Sequence, residues 1–152
     1  MSKSHVASFY DGRAEEYELA FAAQPFQLRA KDFLARTVEG TMQVLDVGCG
    51  PGHLTGNLPE SSCVVGTDIS SAMIGKAKAR RPSGQYFEHD YLAPLPPSVR
   101  DFDVILANGC FDLCEDVGKA LRLLGVDSRR TDSFISRYWN AERAYRTNLL
   151  KR

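Results

Sequence analysis

The chain has 152 residues, 43% of them hydrophobic and 25% charged, a size and composition that fit one globular domain and exclude a disordered, fibrous or two-core chain. Nineteen basic residues balance nineteen acidic ones, so the total charge gives no reason to expect a nucleic-acid or membrane partner. The four cysteines at 49, 63, 110 and 114 show no CxxC spacing, and no amino-terminal run is apolar enough for a signal peptide or membrane span; reduced thiols and a cytoplasmic location are expected.

From Phe9 to Val38 the only strong breaker is Pro25, and the pattern predicts two amphipathic helices, Ala14 to Ala22 and Phe26 to Val38, with Phe26, Ala30, Phe33 and Leu34 on one face. Met42 to Val47 (MQVLDV) is a short apolar run ending in the glycine-rich GCGPG, the pattern of a buried parallel strand feeding a tight turn, and His53 to Leu58 is expected to open the next helix. A second strand at Cys63 to Thr67 leads to an N-cap at Ser70 or Ser71 and a helix from Ala72 to Arg80. A third strand at Gln85 to Glu88 precedes a proline-rich loop, and a fourth at Phe102 to Ala107 (FDVILA) precedes a helix at Val117 to Leu124. Strands alternating with helical stretches predict βαβ units and a parallel sheet with helices on both faces. In the remainder, a short strand at Ser133 to Tyr138 and a helix from Asn140 to Lys151 are expected. From Gly125 onward seven basic residues face three acidic ones, a net of +4 that leaves −4 on the first 124 residues; a solvated helix with arginines outward accounts for it.

The chemistry concentrates in Asp46-Val47-Gly48-Cys49-Gly50-Pro51-Gly52, an acid at a strand end followed by glycines at alternate positions. Glycine permits backbone geometry that a Cβ forbids and lets a ligand approach the main chain. A dinucleotide G-x-G-x-x-G fingerprint would need its third glycine at position 53, which is His53, so the spacing does not fit NAD. Asp68, at the end of the second strand and eighteen residues beyond Gly50, stands where a nucleotide fold places its ribose-binding acid. Ionised, it offers only acceptors, which suits a pair of ribose hydroxyls. Cys49 with His53, and Cys110 with Cys114, each make half a zinc site at most, and no metal is expected.

The D-x-G-x-G-x-G loop, with Gly66-Thr67-Asp68-Ile69-Ser70 after it, resembles the class I S-adenosylmethionine-dependent methyltransferases of the small-molecule and quinone type. The resemblance implies a Rossmann-like fold and S-adenosylmethionine as cofactor. Asp46 would support the loop, while the amino-acid part of the cofactor lies against Gly48, Cys49, Gly50 and Gly52. Asp68 would bind the ribose, Ile69 would pack on adenine with Met73 a turn further on, and Asp90 would accept from the adenine amino group beside Tyr91. Asn108, opening Asn108-Gly109-Cys110-Phe111, falls where the family places cofactor and substrate contacts. This is not the N/D-P-P-Y/F motif of base or glutamine methylation, so the acceptor is expected to be a small molecule. Phe9-Tyr10-Asp11 and the Arg13-Ala14-x-x-Tyr17 spacing resemble a lid that closes aromatic residues over the cofactor. The implied chemistry is SN2 methyl transfer from a sulfonium, in which alignment is the main device. His53, His89, Asp112 and Tyr17 carry groups that can take a proton, and none is assigned as the base.

The resemblance covers roughly residues 5 to 124 and stops there, because Gly125-Val126-Asp127 replaces the usual proline-glycine-glycine turn. The expected organisation is one domain: a helical lid over 1–40, a cofactor-binding core over 41–124 and an atypical tail over 125–152, lacking part of the family's carboxyl-terminal strands. Without a fifth strand, the fourth would be an edge open to a second copy or a partner subunit. The segment Ser133 to Tyr138 is expected to cover it. Two functions follow: a small-molecule methyltransferase, or a shortened module that holds S-adenosylmethionine without transferring its methyl group.

Overall fold

The computed structural model describes residues 3–22, 24–114, 116–125 and 134–137. Three helices come first, α1 (Lys3–Asp11), α2 (Ala14–Ala22) and α3 (Pro25–Thr37), followed by β1 (Gln43–Val47), β2 (Cys63–Asp68), α4 (Ser71–Arg80), β3 (Gln85–Glu88), β4 (Val104–Asn108), a 3-10 turn at Cys110–Leu113, α5 (Val117–Leu123) and β5 (Phe134–Arg137). The five strands form one sheet in the order β3-β2-β1-β4-β5, and every pairing is parallel. The chain adds β2 and β3 on one side of β1 and then returns to add β4 on the other. Between β1 and β4 the order reverses, and in such sheets the crevice outside the strand ends at that reversal is the natural ligand site.

Successive residues of each strand feed opposite faces. On one face Val44, Val64, Val104 and Leu106 pack with Leu34 and Val38 at the end of α3 and with Ile74 and Ala77 of α4. On the other, Leu45, Val47, Val65, Ile105 and Ala107 pack with Phe111, Ala120 and Leu124. Helices thus cover both faces, as the alternation of strands and helices predicts. Full burial stabilises by about 1.5–3 kcal/mol for each Val or Leu, so this two-sided packing is what fixes the strand ends that carry the polar groups.

Local chemistry sets the boundaries. Pro25 starts α3 at its first turn, where its missing N–H is not needed, so the proline opens the helix expected from Phe26. Ser70 is the N-cap of α4, its Oγ accepting from Met73 N at 3.2 Å, and Asp116 caps α5 by accepting from Lys119 N at 2.8 Å. The helix expected from His53 to Leu58 is not formed. That segment is a series of turns with one α-type bond, Gly56 N to Gly52 O at 2.9 Å, and one tighter turn, Leu58 N to Thr55 O at 3.3 Å. Gly52 stands at φ +76°, and glycines at 52 and 56 with a proline at 59 leave too little helical propensity to continue.

At the other end of the sheet Arg81, 1% exposed, follows α4. Its guanidinium donates to the carbonyls of Leu58 at 2.7 Å, Pro59 at 2.8 Å and Ser62 at 3.1 Å, which ties α4 to the segment entering β2. The expected strand at Ser133 to Tyr138 is present as Phe134–Arg137, in register from Ile105↔Phe134 to Asn108↔Arg137, so β4 is internal. The helix expected over Asn140 to Lys151 lies outside the described residues. No helix among the described residues is long and apolar enough to cross a membrane.

Candidate functional site

A cavity of about 220 Å³ opens at the carboxyl ends of β1, β2 and β4, walled by Gly48, Gly50, Thr67, Asp68, Ile69, Met73, His89, Tyr91, Leu92, Asn108, Gly109 and Cys110, with Val6, Tyr10 and Tyr17 facing it from α1 and α2. It occupies the reversal between β1 and β4.

Asp68 is the polar centre of this cavity. Its Oδ2 accepts from Gly50 N at 2.9 Å and its Oδ1 from Ser70 N at 3.0 Å, so one carboxylate bridges the glycine loop and the turn into α4. Burial raises its pKa, against the backbone bonds from Ser70 and Gly50. Each oxygen keeps an acceptor lone pair, and together they can accept from two adjacent hydroxyls.

The three glycines of the loop do different things. A Cβ on Gly48 (φ +63°) would stand 2.2 Å from Cys110 Cβ, so this glycine admits the turn after β4. A Cβ on Gly50 would meet only Tyr17 Cε1, 4.0 Å away across the cavity, leaving this backbone open to a ligand. A Cβ on Gly52 would stand 3.2 Å from Ala77 Cα, so Gly52 faces helix α4 and is outside the cavity wall.

Of the residues singled out from the sequence, Tyr17, Gly48, Gly50, Asp68, Ile69, Met73, Tyr91 and Asn108 line the cavity, while Asp46, Cys49, Gly52 and Asp90 do not. Asp46, 2% exposed, lies behind the loop with its Oδ2 accepting from Thr55 Oγ1 at 3.2 Å. Burial pushes its pKa up to about 7, with the Asp68 charge adding to the rise against the Thr55 bond. The Cys49 side chain packs into the core below, where burial drives its thiol pKa up. Asp90 Oδ1 accepts from Leu92 N at 2.8 Å and so shapes the turn that brings its neighbours His89 and Tyr91 to the wall.

Val6, Tyr10, Thr67, His89, Leu92, Gly109 and Cys110 complete the wall; of these the sequence singles out His89 only as a group that can take a proton, Gly109 and Cys110 only as part of the stretch after β4, and Val6, Thr67 and Leu92 for no site role. Tyr10 had a signal, its place in the aromatic Phe9-Tyr10-Asp11 segment, but only the packing of α1 brings it in. Tyr10 and Tyr17 meet edge to face with centroids 5.6 Å apart, and Tyr91 meets Phe111 in the same way at 5.3 Å. Burial raises the pKa of Tyr10, with the Asp68 and Asp112 charges adding to it. Tyr17 is raised by burial and then by Tyr10 and Asp68, so both phenols keep their protons.

Of the groups that can take a proton, His89 and Tyr17 face the cavity, while Asp112 is exposed. His53 is turned toward Arg80, its Nδ1 2.7 Å from Nη1. Asn108 Nδ2 donates to Gln27 Oε1 at 3.3 Å, joining the end of β4 to α3.

The amino-terminal helices are fastened to α4. Asp11 accepts from Ser70 Oγ at 2.6 Å and Ala72 N at 3.1 Å, bonds that lower its pKa, Ser70 first. Lys76 pairs with Glu15 at 2.8 Å and Glu18 at 2.7 Å, and Arg80 pairs with Glu18. No group of three or more His, Cys, Asp or Glu among the described residues is placed to hold a metal.

A family model described as a methyltransferase domain matches residues 44–125. Over 99 residues the chain is 35% identical to a trans-aconitate 2-methyltransferase of Rhodopseudomonas palustris, covering 62% of this chain and 38% of that protein. Over 127 residues it is 26% identical to a malonyl-[acyl-carrier protein] O-methyltransferase of Enterobacter lignolyticus, covering 82% of this chain and 49% of that one. The match therefore covers less than half the length of each of these two relatives. Among solved structures, the magnesium protoporphyrin IX methyltransferase of Synechocystis PCC 6803 with bound SAH matches with a TM-score of 0.68 at 17% identity, over 89% of this chain and 71% of that one. The family match runs from β1 through α5, across the glycine loop, Asp68 and the end of β4, and the chain belongs to the methyltransferase-domain family.

Proposed function

We propose that this chain binds S-adenosylmethionine in the cavity at the β1–β4 reversal and transfers its methyl group to a small-molecule acceptor. The observation that carries the reading is Asp68, a buried carboxylate held by Gly50 N and Ser70 N and facing the cavity. The residues present fit the cofactor. Gly50 leaves its side of the loop open as far as Tyr17, Asp68 offers acceptors for a ribose diol, and Ile69, Met73 and Leu92 supply an apolar surface for a base. When bound, the cofactor supplies an electrophilic methyl on a positively charged sulfur.

In this reading Gly48 and Gly50 present backbone to the amino-acid part, and Asp90 holds the turn that sets Tyr91 against the cavity. The carboxylates of Asp68 and Asp112 give the site a negative field, which favours a cationic ligand. Val6, Tyr10 and Tyr17 act from the 1–40 segment as a lid over the 41–124 core, excluding water so that acceptor and methyl meet in line. Asn108, held by Gln27, borders the acceptor side. His89 is the imidazole nearest to serving as a base, and alignment carries most of the rate. Four free thiols support a reducing, cytoplasmic setting.

A second reading is a module that holds the cofactor without transferring its methyl group or that pairs with another subunit, since the match covers only 38% and 49% of the two relatives. Calorimetry with S-adenosylhomocysteine and with NAD tests what the readings share: the first binds and the second does not. Asp68→Ala weakens binding by roughly 1–3 kcal/mol through lost charged hydrogen bonds. An affinity unchanged by that substitution, or NAD binding with no response to S-adenosylhomocysteine, overturns the proposal. Transfer of labelled methyl to a panel of acceptors then separates enzyme from binding module.

A further inference from the structure

We propose that Arg80 is a positioning residue that couples closure of α1 and α2 over the cavity to the conformation of the glycine loop. Arg80 is the last residue of α4 and does not line the cavity. Its stem crosses Gly56, where a Cβ would stand 2.6 Å from its Cδ and 2.7 Å from its Cγ, so the glycine leaves the passage open. Beyond it the guanidinium forks. Nη1 donates to Pro51 O at 3.0 Å and lies 2.7 Å from His53 Nδ1, while Nη2 donates to Glu18 Oε1.

Those partners stand next to the two walls that a ligand would touch. Pro51 follows Gly50, whose backbone faces the cavity; Glu18 follows Tyr17, whose ring closes the cavity 4.0 Å from the Cβ position of Gly50. One planar cation thus holds the floor and the lid together, and its fixed fork of donors is what lets it reach all three acceptors. A lysine has one compact head and cannot span them. Lys76 takes the other oxygen of Glu18 at 2.7 Å, so removing Arg80 leaves α2 docked on α4 and breaks only its connection to the loop.

The proposal rests on the cofactor reading for the ligand that senses the coupling, and the test separates the two. Hydrogen exchange and calorimetry are run on the full chain with S-adenosylhomocysteine, for the wild type, Arg80→Met, Arg80→Lys and Glu18→Ala. In the wild type the ligand slows exchange over 3–22 and 48–56 together. In Arg80→Met the affinity falls about tenfold, within the usual range of coupling between sites, and protection stays on 48–56 but is lost from 3–22. Arg80→Lys behaves like Arg80→Met. Glu18→Ala removes the same contact from the lid side together with the Lys76 pair, shows at least the same loss, and in the double variant with Arg80→Met gives less than the sum of the two single effects. Binding within twofold of wild type by Arg80→Met, with both segments still protected together, overturns the coupling. If the wild type fails to bind S-adenosylhomocysteine, the cofactor reading falls. The coupling is then judged without ligand: faster exchange around both Glu18 and Pro51 in Arg80→Met supports it, and unchanged exchange overturns it.

Discussion

Asp46→Asn should make the protein more stable above neutral pH and abolish a pH dependence that the wild type carries. Asp46 is 2% exposed and accepts a hydrogen bond from Thr55, while the charge of Asp68, which acts on it, has the same sign. Its pKa is raised from 3.8 to about 7, so between those values the folded protein holds a proton that the unfolded chain has released. Stability from this group is fully present below the unfolded pKa and is lost as pH rises through the folded one. At about 1.4 kcal/mol per pH decade the whole effect is about 4 kcal/mol, of which about 2.5 kcal/mol falls between pH 5 and pH 8. Asparagine keeps an oxygen for Thr55 and never carries the charge. Urea denaturation of both proteins at pH 5 and pH 8 measures the change in their stability difference, which cancels every other titrating group. The two midpoints should separate by about 1 M more at pH 8 than at pH 5, for a slope of 1–3 kcal/mol/M. A stability difference that stays constant between the two pH values would refute the argument.

Two further predictions concern packing. Gly48→Ala sets a Cβ 2.2 Å from Cys110 Cβ at φ +63°, whereas Gly109→Ala at φ +78° meets nothing within 4 Å; thermal denaturation should show a loss of about 3 kcal/mol or more for the first and about 1 kcal/mol for the second, and equal losses would contradict it. Truncation after Gly125 removes Phe134–Arg137 and exposes the apolar edge of β4, so sedimentation velocity should show self-association; a truncated chain that is monomeric and as stable as the parent would show that β5 protects nothing.

What the sequence made legible is the part written in local pattern. The β1, β2 and β4 runs are apolar because both their faces are buried, and the motif spacing led to Asp68, Gly48 and Gly50 because a ligand site at strand ends needs those residues in that order. Helix α1 escaped notice because KSHVASFYD has little apolar period; it is held by a tertiary bond, Asp11 to Ser70. The helix expected at His53 failed because Gly52, Gly56 and Pro59 leave too little propensity, and the two glycines admit the close approach of Ala77 and of Arg80. Gly52 and Cys49 look identical in role to Gly48 and Gly50 along the chain, and only the packing of α4 and the core assigns them to structure. Cys110 lies in the Asn108-to-Phe111 stretch that the resemblance puts at the site, and only the packing shows that it fills the space above Gly48.

Arg81 also bears on the order in which the sheet can be assembled. Its three carbonyl partners lie 19 to 23 residues away in the chain, so it closes β2 and α4 into one short loop. The bond that aligns β1 with β4, between Gln43 and Asp103, spans 60 residues. Closing the longer loop costs about 1 kcal/mol more chain entropy than closing the shorter one, before the rigidity of the intervening elements is counted. The β2–α4–β3 half is therefore closed at lower chain-entropy cost than the pairing of β1 with β4, beside which the ligand would lie.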